Sequence, residues 1–204
     1  MSKNIEKIIY INLNKRTDRK EQIEIELNNF GLDYERYEAI ETPIANLGIL
    51  GCSMSHLNVL KLARERGYKN ILIMEDDFTF LVSKEEFEKQ LTEFFNANIS
   101  YNVCMISYNL VHSEPTEYDF LLRTLDVHTA SGYIVNCNYY DKLIDLYEWS
   151  CPLLRDTHAH WLYANDIVWK KYQKDDIWFC FTKRIGKQRA SYSDNSNCFR
   201  DLNI

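Results

Sequence analysis

Four short apolar runs divide the first 110 residues: Lys7–Leu13 (KIIYINL), Tyr34–Ile40, Asn70–Met74 and Asn102–Tyr108. Each is rich in β-branched or aromatic residues and reads as a strand. Between them the apolar residues return at helical spacing. Ile23, Leu27 and Phe30 form one such face, on a helix that Thr17 or Asp18 can cap and Gly31 ends. Leu57, Leu60, Leu62 and Ala63 form another, on a helix opened by Ser53-Met54-Ser55-His56 and closed by Gly67. Phe87, Leu91, Phe94 and Phe95 mark a third over Lys84–Asn96. Strands alternating with helices constrain the chain to an α/β fold, an open, mostly parallel sheet flanked by helices. Such sheets bind ligands beyond the carboxyl ends of their strands.

The second half continues with two strands, Phe120–Val127 and Gly132–Val135, around Thr129-Ala130-Ser131. A helix over Tyr139–Trp149, one or two helices over Asp156–Tyr172 and a last strand over Asp176–Phe181 complete it. No repeat or break in composition divides the chain, and three prolines and six glycines leave little room for linkers. At 204 residues a single domain is expected. Within it, residues 1–110 and 111–204 read as two halves.

The net charge of −6 argues against a nucleic-acid partner. Two basic clusters stand out against it: Lys15, Arg16, Arg19 and Lys20, and Lys183, Arg184, Lys187 and Arg189. The second could touch a membrane surface or face a phosphate. No run approaches the ~20 apolar residues of a membrane span, and the N-terminal apolar run is too short and interrupted for a signal peptide. The expectation is a cytoplasmic chain. None of the six cysteines sits in a CxxC, which disfavours zinc and makes them reduced core residues.

The strand Asn70–Met74 ends in Glu75-Asp76-Asp77. Carboxylates are costly to bury unless a cation meets them. Residues i and i+2 of an extended segment face the same way, so Glu75 and Asp77 would share one side and Asp76 the other. Such a pair can hold Mg²⁺ or Mn²⁺, which prefer oxygen ligands. The alternative is a cap, or an ion pair with Lys69 or an arginine. Arg16 and Arg19 follow the first strand, and their forks suit phosphate. Neither GxGxxG nor GxxxxGK[ST] occurs, which disfavours a dinucleotide fold and a P-loop.

Taken in order, these segments resemble glycosyltransferase family 25. IIYINLNKRTDRKEQI is similar to that family's opening I-x-x-I-N-L-x-x-R-x-x-R, and Tyr37-Glu38-Ala39-Ile40 to its F-E-A-[IV] strand. Leu50-Gly51-Cys52-Ser53-Met54-Ser55-His56 resembles its G-C-x-x-S-H turn, and Ile73-Met74-Glu75-Asp76-Asp77 its E-D-D segment. Thr129 to Val135 is similar to its T-x-A-Y strand, and Gln188 with Ser193-Asp194 to its late Q…S-D element.

The resemblance implies a GT-A-type, Rossmann-like fold, a UDP-galactose or UDP-glucose donor, Mn²⁺ or Mg²⁺ dependence and inversion at the anomeric carbon. It makes residues 1–110 the nucleotide-binding half and 111–204 the acceptor half, and the acceptor would be a glycan or a hydroxylysine of a collagen-like protein. It places Asn12, Leu13, Arg16, Arg19, Ser53, His56, Glu75, Asp76, Ser131, Gln188, Ser193 and Asp194 at the donor, with Asp77 and Glu75 toward the metal. Ser53 and Ser55 could donate from a helix N-terminus. Inversion needs a general base. The family's P-V-D acid corresponds to Asp156 in Leu153-Leu154-Arg155-Asp156, where Pro-Val has become Leu-Arg. Asp166 in Ala164-Asn165-Asp166 is the second candidate. A non-catalytic nucleotide-sugar-binding domain and a metal-dependent phosphohydrolase are the competing readings. His158 and His160 do not share a helical face, so a two-histidine site is disfavoured. Trp161, Tyr163, Trp169, Trp178 and Phe179 read as core, or as rings that stack on an acceptor.

Overall fold

The structure, a computed structural model, describes residues 4–42, 47–193 and 198–200, with the backbone alone at 192, 193, 198 and 200. In chain order the elements are β1 (Lys7–Asn12), α1 (Thr17–Asn29), β2 (Tyr34–Glu38), α2 (Gly48–Glu65), β3 (Asn70–Glu75), β4 (Phe78–Phe80) and α3 (Lys84–Asn96). There follow β5 (Val103–Pro115), β6 (Leu121–Asn136), α4 (Tyr140–Thr157), α5 (His160–Tyr163), α6 (Asn165–Val168) and α7 (Lys170–Gln173). Then come β7 (Trp178–Phe181), β8 (Gly186–Gln188), β9 (Ser191–Ser193) and β10 (Cys198–Arg200).

The central sheet runs β2-β1-β3-β6-β5-β7. β1 pairs in parallel with β2 and β3, β5 in parallel with β7, and β6 runs against β3, β5 and β7. The expected α/β fold with a mostly parallel sheet is therefore present, with one reversed strand in its middle.

β1, β3 and the first half of β5 are buried on both faces because each alternation feeds a different core, whereas β2 at the sheet edge is half-buried. Ile9, Ile11, Ile71 and Ile73 enter one cluster with Leu57 and Leu60 of α2, Leu143 and Tyr147 of α4, and Trp169 and Trp178. Ile8, Tyr10, Leu72 and Met74 enter the other with Ile23 and Leu27 of α1 and Phe87, Leu91 and Phe94 of α3. Each such side chain contributes about 1.5–3 kcal/mol.

Three elements differ from their sequence outlines. The two strands expected around Thr129-Ala130-Ser131 are one strand, β6, because β5 pairs along it and a bulge absorbs the surplus residues. Ser107 faces Gly132 while Asn109 faces His128, so β6 spends four residues where β5 spends two. Thr129 takes φ 83° in that bulge. α2 begins at Gly48, so Ser53, Ser55 and His56 lie inside the helix and not at its start. Leu47 and Leu50 are buried and extend its apolar face backward, outweighing the weak propensity of Gly48 and Gly51. α4 continues through Pro152 to Thr157, because Ser150, Cys151 and Leu154 keep its buried face unbroken across the lost hydrogen bond.

β3 and β1 end at the same sheet edge, with Ile11 beside Glu75. Met74 faces Gly132, which brings the β6 bulge to that edge. β8 pairs with β4 so that Gln188 faces Phe78, returning the C-terminal segment beside the acids. Among the described residues, no helix is long and apolar enough to cross a membrane.

Candidate active site

β3 stops at Glu75, so strict alternation does not reach Asp77: Asp76 and Asp77 share Arg19, whereas Glu75 turns to α2. Asp76 is buried at the end of β1. It accepts from Asn12 Nδ2 at 2.8 Å and from Arg19 Nη1 at 2.9 Å. Burial raises its carboxyl above the usual range, with Arg19 and Asn12 opposing. Asn12 is itself held by Arg36, whose Nε donates to Oδ1 at 3.0 Å. Asp76 thus anchors the turn to β1 and α1.

Asp77 receives Arg19 Nη1 on Oδ2 at 3.3 Å. Its Oδ1 is buried without a hydrogen-bond partner among the described residues. Burial, then repulsion from Glu75 and Asp76, pushes its pKa up to about 7. Its own carbonyl accepts from Arg189 N at 2.6 Å, which ties the C-terminal segment to the turn.

Glu75 points toward α2. Its Oε1 lies 3.1 Å from His56 Nε2 and accepts from Cys52 Sγ at 3.4 Å, while Gln188 Nε2 donates to Oε2 at 3.4 Å. Burial works against its ionised form, but the contacts with His56 and Cys52 prevail and its pKa is lowered. His56 Nδ1 lies 2.8 Å from the hydroxyl of Tyr133 on β6.

The fourth acid comes from the second half of the chain. Asp166, on α6, accepts from the backbone N of Thr129 at 3.1 Å. The bulge that strains Thr129 is what aims this amide at it. Burial raises the Asp166 carboxyl, and Glu75 raises it further. α6 is fastened to α2 through Ser53, whose Oγ accepts from Asn165 N at 3.2 Å.

Residues 41–158, more than half of the chain, match the family model described as Glycosyltransferase family 25 (LPS biosynthesis protein). The chain belongs to glycosyltransferase family 25. This family 25 chain is 28% identical over 192 residues to a protein named glycosyltransferase R655 in Acanthamoeba polyphaga mimivirus, covering 82% of itself and 51% of that protein. It is 24% identical over 171 residues to procollagen galactosyltransferase 1-A of Xenopus laevis, covering 69% of itself and 28% of that protein. The chain spans about half the length of the first and less of the second. Among solved structures, the galactosyltransferase LgtC in complex with donor and acceptor sugar analogues matches at TM-score 0.46 and 12% identity, over 84% of this chain and 72% of that one. A glycosyltransferase involved in glycosylation of the major capsid of PBCV-1 matches at TM-score 0.41 and 11% identity, over 86% and 91%.

Of the site residues expected of a family 25 chain, the structure brings together Asn12, Arg19, His56, Glu75, Asp76, Asp77, Asp166 and Gln188. Leu13 supports the turn after β1 by accepting from Arg16 N at 2.9 Å. The Arg16 side chain pairs with exposed Asp18 at 2.8 Å. Ser131 is buried against Ser107, their hydroxyls 2.5 Å apart. Ser53 and Ser55 do not donate from a helix end as expected. Both are buried mid-helix, and Ser55 donates to the Gly51 carbonyl and accepts from Ile40 N. Ser193 lies in β9 with its side chain undescribed, and Asp194 lies outside the described residues.

Asp156 is not brought to the cluster. It sits on the exposed last turn of α4, its carboxylate taken by the neighbouring Arg155 at 2.7 Å. His158 and His160 are exposed. Trp169 and Trp178 are core, whereas Trp161 is 63% exposed. In the second basic cluster, Arg184 donates to the Tyr108 carbonyl, Lys183 pairs with Glu86 and Arg189 with Glu26. Arg36, Cys52 and Tyr133 also join the cluster, and the sequence expectations did not include them as candidates. Cys52 and His56 carried a signal, a spacing of four that puts both on one helical face. Arg36 carried none.

Proposed function

We propose that this domain moves a galactosyl or glucosyl unit from a UDP-sugar to a hydroxyl acceptor, with inversion and with a divalent cation at Asp77. The observation that carries the reading is the Asp77 carboxylate. Its Oδ1 is buried without a partner among the described residues, at the strand edge where Glu75 and Asp166 also converge. An orphaned buried anion is costly, and a hard cation with oxygen preference fits it. When bound, Mn²⁺ or Mg²⁺ supplies charge neutralisation for the departing diphosphate. Asp77 would hold it. Glu75, fixed by His56, Cys52 and Gln188, would orient the donor side.

Asp166 is the better placed base. In a single displacement the acceptor oxygen bonds to the anomeric carbon as the bond to the diphosphate breaks, and the acceptor proton passes to a carboxylate. Asp166 is close enough to Glu75 to feel its charge and is oriented by a backbone amide. Asp156, exposed and paired with Arg155, has neither property. A saccharide or a glycoprotein hydroxyl would serve as acceptor.

The test is transfer from UDP-galactose and UDP-glucose with Mn²⁺, measured for Asp166→Asn and Asp156→Asn. Asp166→Asn should lower kcat by about 10²–10⁴ while UDP binding by calorimetry is kept. Asp156→Asn should transfer as the parent does. The reverse pattern would overturn the assignment of the base. UDP binding without turnover in the parent, across a broad acceptor panel, would favour a non-catalytic nucleotide-sugar-binding domain.

A further inference from the structure

Cys52, His56 and Glu75 present one sulfur, one nitrogen and one oxygen to a common point. Cys52 and His56 are four residues apart on α2, and Glu75 reaches them from the end of β3. His56 Nε2 and Cys52 Sγ lie 3.1 and 3.4 Å from Glu75 Oε1, and all three atoms lie within 4.8 Å of one another. Ligands of a tetrahedral zinc ion stand about 3.4–3.6 Å apart, given its bond lengths. Small rotations of the Cys52 and His56 side chains would reach that spacing.

Three further features point to a cation rather than to a hydrogen-bonded cluster alone. His56 is fully buried, and its other ring nitrogen meets the Tyr133 hydroxyl at 2.8 Å, the outer contact that orients a metal-ligating imidazole. Glu75 is steadied on its second oxygen by Gln188. Cys52 and Glu75 are partly exposed, so the cluster is not sealed from solvent.

We propose that Cys52, His56 and Glu75 form a site for a borderline-soft divalent cation of the Zn²⁺ class, separate from the hard-cation position at Asp77. Binding forms a sulfur–metal bond, and the thiol proton leaves to solvent. Thiolate, carboxylate and neutral imidazole then balance the dication. No cofactor redox change is involved. The site stands on geometry and does not depend on the transfer reading. It takes Oε1 of Glu75, the residue that the transfer reading places at the donor, so the two sites compete for one carboxylate.

Co²⁺, a spectroscopic substitute for Zn²⁺, tests the proposal on the full chain after chelator treatment. One equivalent should give a thiolate-to-cobalt charge-transfer band, abolished by Zn²⁺, absent with Mn²⁺ and absent in Cys52→Ser. No band in the parent, or a band retained in Cys52→Ser, overturns it. If Cys52→Ser fails to fold, alkylation of the parent decides. Zn²⁺ should slow iodoacetamide labelling of Cys52 by about tenfold or more, since the free thiolate is the nucleophile. Exposed Cys137 should label at the same rate with and without the ion. Equal labelling of Cys52 under both conditions overturns the site. Loss of sugar transfer in any variant leaves these readouts untouched, so the two readings fail separately.

Discussion

Arg19 is the cation that meets the acidic triplet from within the chain. One of its nitrogens bridges Asp76 and Asp77, at 2.9 and 3.3 Å. That is enough for Asp76, which Asn12 also serves, but it leaves Asp77 half satisfied. The consequence is a pH dependence with a definite sign. The Asp77 pKa rises from 3.8 to about 7 on folding, with burial the largest cause. A carboxyl raised in the native state favours folding while it is protonated, and the unfolded chain gives up its proton first as pH rises. The ion-free protein should therefore lose stability from about pH 4 to about pH 7. Asp77→Asn removes that loss. In chelator, thermal unfolding of the variant and the parent should coincide near pH 4, and the variant should be more stable near pH 7.5 by on the order of 2–4 kcal/mol. A parent as stable as the variant at the higher pH would refute the assignment. The choice between Asp156 and Asp166 was illegible for a related reason. Both are acids near the end of a helical stretch, and only the tertiary path decides which is exposed and which meets the Thr129 amide.

At the level of elements, α2 shows why a glycine belongs in the Gly-Cys-x-x-Ser-His stretch. A Cβ on Gly51 would stand 2.3 Å from the Ile40 carbonyl oxygen, a backbone atom that cannot rotate away. The close approach also lets Ser55 accept from Ile40 N at 2.8 Å, clamping the end of the β2 segment to the helix. Gly51→Ala must push α2 outward, and His56 and Cys52 move with it. Overpacking of this kind costs about 1–3 kcal/mol. The expected outcome is a lower Tm together with weaker Co²⁺ binding at Cys52. An unchanged Tm would mean that α2 can shift freely. The buried strands were legible because their alternation feeds two cores, and that pattern is local. The start of α2 was not, because Gly48 and Gly51 read as loop until the packing of Leu47 and Leu50 is known. The continuity of β6 was hidden likewise. Thr129 at φ 83° is a β-branched residue in an uncommon conformation, held by the β5 pairs that flank it at His128 and Gly132 and by its amide's bond to Asp166.

Across the whole molecule, the cluster draws on residues from Asn12 to Gln188, carried by β1, α1, α2, β3, α6 and β8. β6 of the second half lies between β3 and β5 of the first, so the cores of the two halves are one packing unit. A ligand that spans the strand edge would cross-link these elements and stabilise all of them together. With UDP-galactose or UDP-glucose and Mn²⁺ at about a hundred times Kd, linkage gives about 2.7 kcal/mol. For a chain of this size that is a rise in Tm of about 5–10 °C. The rise should need both the ion and the nucleotide sugar. It should vanish in Asp77→Asn, and ADP-sugars should not reproduce it. A shift of the same size with UDP-sugar alone would place the cation outside donor binding. A shift with Mn²⁺ and inorganic phosphate, without preference for uridine, would turn the acidic edge toward phosphohydrolysis instead. The measurement therefore reads the donor, the ion and the cooperativity of the sheet in one experiment.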